Sequence, residues 1–333
     1  MLNKGLISII TPSYNSAKLI NRLLNSVLIQ TYPNVEMFVI DDGSTDDTQK
    51  VVEYYIPLFE DRRYCLNYIY QSNGGQSSAI NNGLKLVTGE FLVWPDSDDW
   101  YKTKDSLSKM VSILQNSSNE IGCVRCQLEF VAEQSLSVEY TTHIRPCNVP
   151  CELLEEAIYQ NNDFYYAPIG WMIKMRFLDS FIPDREMYVR KHVGQNAQIL
   201  FPYLAHTKCV TIDEVLASYL VREKSHSRQK ANYEQYVSFL FEQMECYDYV
   251  LQSIENLTKK QKDRYLKILT SKSYSAILDM DFMHNKSKLF REHYKTCLEL
   301  QIHPPKKYRL LYLWTFLFSI EQFKKVLFLI RKK

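Results

Sequence analysis

Three carboxylates fall within four positions in "WPDSDDW" (residues 94–100), directly after an apolar run. Asp96, Asp98 and Asp99 repel one another at neutral pH, and such a cluster of hard oxygen ligands is relieved best by a divalent cation, Mg²⁺ or Mn²⁺. A solvated acidic turn is the alternative for the same residues. Cysteine offers a second candidate metal set: Cys123 and Cys126 with Cys147 and Cys151 form C-x-x-C followed by C-x-x-x-C. Because "GCVRCQLEFV" has strand character and residues three apart on a strand point to opposite faces, buried thiols are expected there rather than zinc ligands.

The acidic cluster needs elements to hold it, and the first hundred residues supply them in a regular beat. Leu6–Thr11 is a short apolar run; Ala17, Ile20, Leu23, Leu24, Val27 and Leu28 recur at helical spacing; Val35–Ile40 is a second β-rich run. In "DGSTDDTQKVVEYY" Ser44 is placed to cap a second helix, with Asp47 three residues on favouring the helix dipole. Tyr64–Tyr70 forms a third strand and leads through "QSNGGQSSAINNG" into a third helix, and Phe91–Trp94 forms a fourth strand. Strands separated by helices imply an α/β fold with a mostly parallel central sheet and helices on both faces.

That topology collects the polar residues. Ligands of open parallel sheets bind at the carboxyl ends of the strands. Tyr14 and Asn15 follow the first strand, Asp41 and Asp42 the second, Asn73–Gln76 the third and Asp96–Asp99 the fourth. One acidic turn is solvation; four polar strand ends on one edge are a site. The chain has neither G-x-G-x-x-G after its first strand nor G-x-x-x-x-G-K-[ST], so neither a dinucleotide site nor a P-loop is supported, and a phosphate here needs a metal for neutralisation.

Composition agrees with a large globular enzyme. The 333 residues are 46% hydrophobic and 23% charged, and the net charge of +2 is too small to make nucleic acid the main partner. The opening apolar stretch is about half the length of a signal-peptide core, so it reads as a strand, and a reduced, cytoplasmic protein is expected.

"SIITPSYNSAKLINRLLNSVLIQTYPNVEMFVIDDGSTDDT" and "NGGQSSAINNGLKLVTGEFLVWPDSDDW" resemble the two opening blocks of family 2 glycosyltransferases, whose nucleotide-sugar-binding fold is called GT-A. The resemblance covers residues 6–101 in motif order. It implies a metal-dependent transferase taking a sugar from a nucleotide-sugar donor, a UDP-sugar, with inversion, to a lipid-linked oligosaccharide in capsular or other surface polysaccharide assembly. On it, Pro12 and Tyr14 line the base pocket, Asp42 accepts the uracil imide N–H with Asp41 as its neighbour, and Asn73 sits in the donor loop. Asp96 binds the ribose hydroxyls, Asp98 holds Mn²⁺ or Mg²⁺ against the diphosphate, and Asp99 shapes the turn or the donor-sugar pocket. Each also has a plainer reading: Tyr14 as a core aromatic, Asp42 as a turn former before Gly43, and Asn73 with Gly74 and Gly75 as a tight loop.

The sequence departs from the family in its second half. Many members carry a Glu-Asp pair whose Asp is the catalytic base, whereas "YVRKHVGQNAQILFPYL" places Gln195 and Asn196 there, and neither amide is a base near neutral pH. His192, Asp184 and Glu186 are the nearby weak candidates, each equally a surface or capping residue. "YLVREKSHSRQ" resembles the segment that approaches the diphosphate, which implies phosphate or metal contacts for Arg222 and His226, with a basic surface loop as the alternative, and "YYAPIGWMIKMRFL" resembles the acceptor side, with Gly170 and Trp171 bordering the sugar site or Trp171 in the core. The missing pair leaves two alternatives open: a non-catalytic nucleotide-sugar-binding protein, and a metal-dependent phosphoryl- or nucleotidyltransferase.

The expected organisation is a catalytic domain over residues 1–228, with a nucleotide-binding half at 1–101 and an acceptor-side half at 102–228, then a helical region at 229–333. In "PPKKYRLLYLWTFLFSIEQFKKVLFLIRKK" the apolar run Leu310–Ile320 is interrupted by Glu321, Gln322, Lys324 and Lys325 before a spanning length of about 20 residues. A basic amphipathic helix lying on an anionic membrane surface is expected, with Leu311, Trp314, Phe316 and Leu317 in the lipid boundary, which places the protein at the inner face of the cell membrane. Core packing or homodimerisation is the alternative.

Overall fold

The computed structural model describes the chain except residues 1, 147, 148, 150, 151, 191, 192, 223–231, 332 and 333 and the side chains of 326 and 329–331. Strand and helix alternate at the start: β1 (Asn3–Ser13), α1 (Ile20–Leu28), β2 (Val35–Asp41), α2 (Thr48–Asp61), β3 (Cys65–Tyr70), α3 (Gln76–Leu84) and β4 (Gly89–Val93). Ile7, Ile9 and Ile10 of β1 are all fully buried, because a central strand covered on both faces carries a continuous apolar run rather than an alternating one. β1 pairs in parallel with β2 and with β4, and β2 with β3, so these four strands end on the same edge.

β5 (Trp100–Tyr101), α4 (Ser106–Asn116), β6 (Ile121–Ala132), β7 (Val138–Thr141), α5 (Glu152–Tyr159), β8 (Trp171–Lys174), α6 (Met175–Phe181), α7 (Asn196–His206) and β9 (Lys208–Val221) follow. The strand order is β3-β2-β1-β4-β8-β6-β9-β5, with β7 on β6. The parallel arrangement expected from the sequence runs through the first four strands. The second half then adds antiparallel partners: β8 opposes both β4 and β6, and β5 opposes β9. β6 and β9 are parallel to each other, and β9 ends at Val221, which delivers Arg222 to the edge that carries the acidic turn.

The second helix starts later than the sequence implies. α2 begins at Thr48, and Ser44 does not cap it; Ser44 Oγ instead accepts the Asn15 N–H at 2.8 Å, while Asp46 Oδ1 takes the Thr48 N–H at 3.1 Å. The hydroxyl that would cap the helix is spent on holding two strand ends together. Cys123 and Cys126 on β6 are both buried thiols, with Cys123 in register with Cys209 on β9; Cys147 and Cys151 lie outside the described residues.

The chain divides into two compact units, Met1–Ser225 with Ser253–Asn256, and His226–Gln252 with Leu257–Lys333. The second contains α8 (Tyr233–Ser253) for most of its length, α9 (Lys259–Met283), α10 (Ser287–Glu299), α11 (Lys307–Trp314) and α12 (Ile320–Arg331). Thr258 and Gln261 close a reciprocal capping box at the start of α9. Ile277, Leu278 and Phe290 are fully buried in this unit's core, and Tyr294 stacks on Tyr312 with ring centroids 4.2 Å apart. Asp281, also fully buried, is satisfied from two sides by the Tyr233 hydroxyl at 2.5 Å and His293 Nδ1 at 2.7 Å. No described helix is long and apolar enough to cross a membrane.

Candidate functional site

The four strand ends are fastened to one another by short polar links. At the end of β1, Asn15 takes a left-handed conformation (φ 49°), which Asn tolerates, and its Oδ1 accepts the Thr45 N–H at 2.8 Å. Ser16 Oγ lies 2.8 Å from Ser97 Oγ, tying β1 directly to the acidic turn after β4. Pro12 is buried beneath this corner and Tyr14 stands on its rim, half exposed.

Asp41 and Asp42 differ in what they hold. Asp41 is buried; it accepts the Ser44 N–H and the Tyr68 hydroxyl, each at 2.7 Å, and so shapes the turn. Burial and then this carboxylate push the Tyr68 phenol up from its ordinary range. Asp42 is 5% exposed and clamps the loop after β3: Oδ1 accepts from Gln71 Nε2 and the Gly74 N–H, and Oδ2 from the Gly75 N–H, all at 2.8 Å. A carboxylate has about four acceptor sites, so one site on Oδ2 is left beyond these three donors. Asn73 closes the same loop by donating Nδ2 to the Asp42 carbonyl at 2.8 Å. Gly43 is required here, since its φ is +84° and a Cβ would sit 3.0 Å from the Asn73 nitrogen.

The acidic turn completes the crevice. Gln76, the first residue of α3, donates Nε2 to Asp96 Oδ1 at 2.6 Å. Burial, and next the neighbouring Asp98 charge, push Asp96 up to about 7. Asp98 is likewise raised, by burial first, although Arg222 Nε lies 2.7 Å from its Oδ2 and opposes the rise. Asp99 points the other way: it is fully buried, its Oδ1 accepts the Leu220 N–H at 3.0 Å, and it fastens β9 to the turn. With one guanidinium among several carboxyls, burial and mutual repulsion favour the protonated form of Asp96 and Asp98, a charge imbalance that a hard divalent cation would relieve as well. Among the described residues no group of three or more His, Cys, Asp or Glu could hold a metal alone. The residues therefore fit Mg²⁺ or Mn²⁺ bound through one or two carboxylates and completed by a phosphate ligand.

The amide pair at the head of α7 is brought to this site. Asn196 Oδ1 accepts the indole N–H of Trp94 at 3.0 Å, and Trp94 is the residue that introduces the acidic turn. Gln195 is fully buried, and neither polar atom of its carboxamide has a hydrogen-bond partner among the described residues. No local pattern signals the Trp94–Asn196 link, the Ser16–Ser97 link or the Gln71–Asp42 contact, which join residues far apart in the chain.

Other expected residues lie elsewhere. Glu186 forms an exposed ion pair with Lys85, 2.7 Å away just past the far end of α3 from Gln76, so it is remote from the acidic turn. Asp184 is exposed in the same segment. His192 and His226 fall outside the described residues. Gly170 and Trp171 do not present an open surface: both are fully buried, Trp171 under the Arg125 guanidinium 5.8 Å from its ring centre, and a Cβ on Gly170 would lie 2.2 Å from Tyr165 Oη. On β8, between β4 and β6, Trp171 faces the core rather than an open surface.

The sequence profile described as Glycosyl transferase family 2 matches residues 8–179. Matches to two Rickettsia proteins named as glycosyltransferases are 35% identical but span only 40% and 39% of those proteins' lengths. The chain is 36% identical over 138 residues to a Bacillus subtilis protein named as a teichuronic acid biosynthesis glycosyltransferase, TuaG, covering 41% of this chain and 46% of that one. Among solved structures it is similar to Staphylococcus aureus TarS residues 1–349 in complex with UDP-GlcNAc, with a TM-score of 0.65 at 21% identity over 98% of this chain and 92% of that one. It is also similar to a mannosyltransferase of Pyrobaculum calidifontis in complex with GDP-Man and Mn²⁺, with a TM-score of 0.54 at 17% identity over 94% and 84%. The first unit therefore has the GT-A fold, and a helical region follows it in the chain.

Proposed function

We propose that this chain, which belongs to glycosyl transferase family 2, transfers one sugar from a UDP-sugar to a lipid-linked saccharide during assembly of a surface polysaccharide, with inversion, at the inner face of the cell membrane. The observation that carries the reading is the convergence of four strand ends on one crevice, joined by Ser16–Ser97, Asp42–Gly75, Gln76–Asp96 and Arg222–Asp98. The name of TuaG supports the polysaccharide, and the UDP-GlcNAc complex of TarS supports the donor. In this reading residues 1–228 hold donor and acceptor, and residues 229–333 serve the membrane.

Asp42 and Tyr14 receive the base, and Asp96, oriented by Gln76, receives the ribose hydroxyls. Asp98 would hold Mn²⁺ or Mg²⁺. Bound there, the cation would neutralise charge developing on the departing diphosphate, an effect worth several kcal/mol. Arg222 supplies a second positive charge at the same carboxylate. Asn196 cannot take the acceptor proton, and with Oδ1 engaged by Trp94 it offers only N–H donors to a substrate oxygen.

A screen of nucleotide sugars with and without Mn²⁺, read by UDP release, tests the reading. Turnover of at least one UDP-sugar, dependent on the metal, is expected. The missing carboxylate at 195–196 favours a second reading, a nucleotide-sugar-binding protein without turnover; tight UDP binding with no UDP release from any donor would establish that alternative instead.

A further inference from the structure

The C-terminal hairpin is not the single in-plane helix that its sequence suggests. α11 stops at Trp314 because the Thr315 carbonyl is taken by the Arg291 guanidinium, and α12 restarts through a reciprocal cap in which Ser319 N–H donates to Gln322 Oε1 at 2.8 Å and Gln322 N–H to Ser319 Oγ at 3.2 Å. Ile320, whose N–H donates to Ser287 Oγ at 3.0 Å, anchors the restart and is fully buried. Leu311 is buried as well, and Trp314 turns inward against Phe323, with ring centroids 5.4 Å apart. Two of the residues expected in lipid are therefore packing residues.

What the hairpin exposes instead is a different apolar set. Leu310 is 72% exposed, Leu313 58%, Phe316 61%, Leu317 81% and Phe318 46%, all within nine residues around one turn. Large apolar side chains scattered singly on a surface need no explanation, but a contiguous group at a pinned turn marks a contact surface. The charge around it selects the partner. Among the described residues flanking it, Lys306, Lys307, Arg309, Lys324 and Lys325 are basic against the single acid Glu321; Lys307 pairs with Asp279 at 2.7 Å and Lys325 with Glu321 at 3.0 Å, which leaves Lys306, Arg309 and Lys324 outside any described ion pair.

We propose that the turn between α11 and α12 is a membrane-inserting tip: Leu313, Phe316 and Leu317 enter the acyl boundary of an anionic bilayer while Lys306, Arg309 and their basic neighbours meet the headgroups. A second copy of the chain is the poorer occupant, since a two-fold contact would set two such basic segments against each other. Spanning is excluded by length, as α11 and α12 reach about 12 and 18 Å against a hydrocarbon core of about 30 Å. The inference stands on this surface and its charge; the transfer reading adds only why a membrane would hold the acceptor.

The test is co-sedimentation of the full chain with vesicles of phosphatidylcholine doped with phosphatidylglycerol. Wild type should pellet with these and far less with pure phosphatidylcholine. Leu313→Glu/Leu317→Glu, and independently Leu310→Glu, should lower partitioning at least about tenfold with an unchanged melting transition, since all three side chains are exposed. Lys306→Glu/Arg309→Glu should weaken binding most at low salt. Wild type left in the supernatant, or Glu variants that pellet as wild type does, overturns the proposal. So does a dimer in light scattering that Leu317→Glu dissolves in a protein with no affinity for vesicles. UDP release measured without vesicles tests the transfer reading separately, so either can fail alone.

Discussion

The indole–carboxamide link between Trp94 and Asn196 makes a sharp prediction. Trp94→Phe keeps an aromatic ring in a fully buried position but removes the N–H that fixes Asn196 Oδ1 at 3.0 Å. Without it the carboxamide can exchange its oxygen and nitrogen, and the N–H offered to substrate is present for only part of the time. A neutral hydrogen bond of this kind is worth about 1 ± 0.5 kcal/mol net, and about 1.4 kcal/mol is tenfold in rate. Turnover measured as UDP release should fall about fivefold in Trp94→Phe, and as far or further in Asn196→Ala. Because both remove one interaction, the double variant should be little worse than Asn196→Ala alone, with a coupling of about 1 kcal/mol in the cycle. UDP affinity by calorimetry should be unchanged, since the proposed base, ribose and phosphate contacts are on the other strand ends. Loss of packing around the smaller ring lowers the melting temperature but contributes equally with and without Asn196. Strictly additive losses, or a fall in UDP affinity that tracks the fall in turnover, would refute the positioning role.

Asp98→Asn keeps the side-chain shape while removing the charged ligand, and should lose about a hundredfold or more of turnover together with its Mn²⁺ dependence; a folded variant with unchanged Mn²⁺-dependent activity sinks the metal assignment. Asp42→Asn turns one acceptor of the loop clamp into a donor facing a donor, so UDP affinity should fall by about 1–3 kcal/mol in calorimetry, and an unaltered Kd would mean that Asp42 lies outside the donor site. Arg125→Met strands Glu156, which lies 3.1 Å from the buried guanidinium, and a broken buried pair costs about 3–5 kcal/mol; the melting temperature should drop while UDP release per folded molecule persists, and a neutral melt would show the pair to be dispensable.

What could be read from the sequence were the features with a local period or a local chemistry. β1 to β4 announce themselves as apolar runs between helical stretches, and their polar ends follow from strand topology alone. The failures share a cause. Ser44 has the right type and spacing to cap α2, yet its hydroxyl is taken by Asn15 from another strand. Trp171 looks like a binding aromatic, but its position between β4 and β6 decides that it is core. Glu186 is near Asn196 in sequence and at the wrong end of α3 in space. In the tail, the apolar run was visible but the break at Ser319 was not, because Arg291, which helps end α11, comes from α10.

Adjacent aspartates show how the topology divides one motif into two tasks. Asp98 faces the crevice, while Asp99, one residue on, turns fully inward and takes the Leu220 N–H of β9. That inward bond sets the end of β9, and β9 carries Arg222 to 2.7 Å from Asp98. The guanidinium neutralises the crevice carboxylate from the side of the acceptor half, at the point where a diphosphate and its cation would be held in the donor half. The antiparallel pairing of β5 with β9, Trp100 opposite Ser218, holds the residues that follow the acidic turn against the strand whose end precedes Arg222.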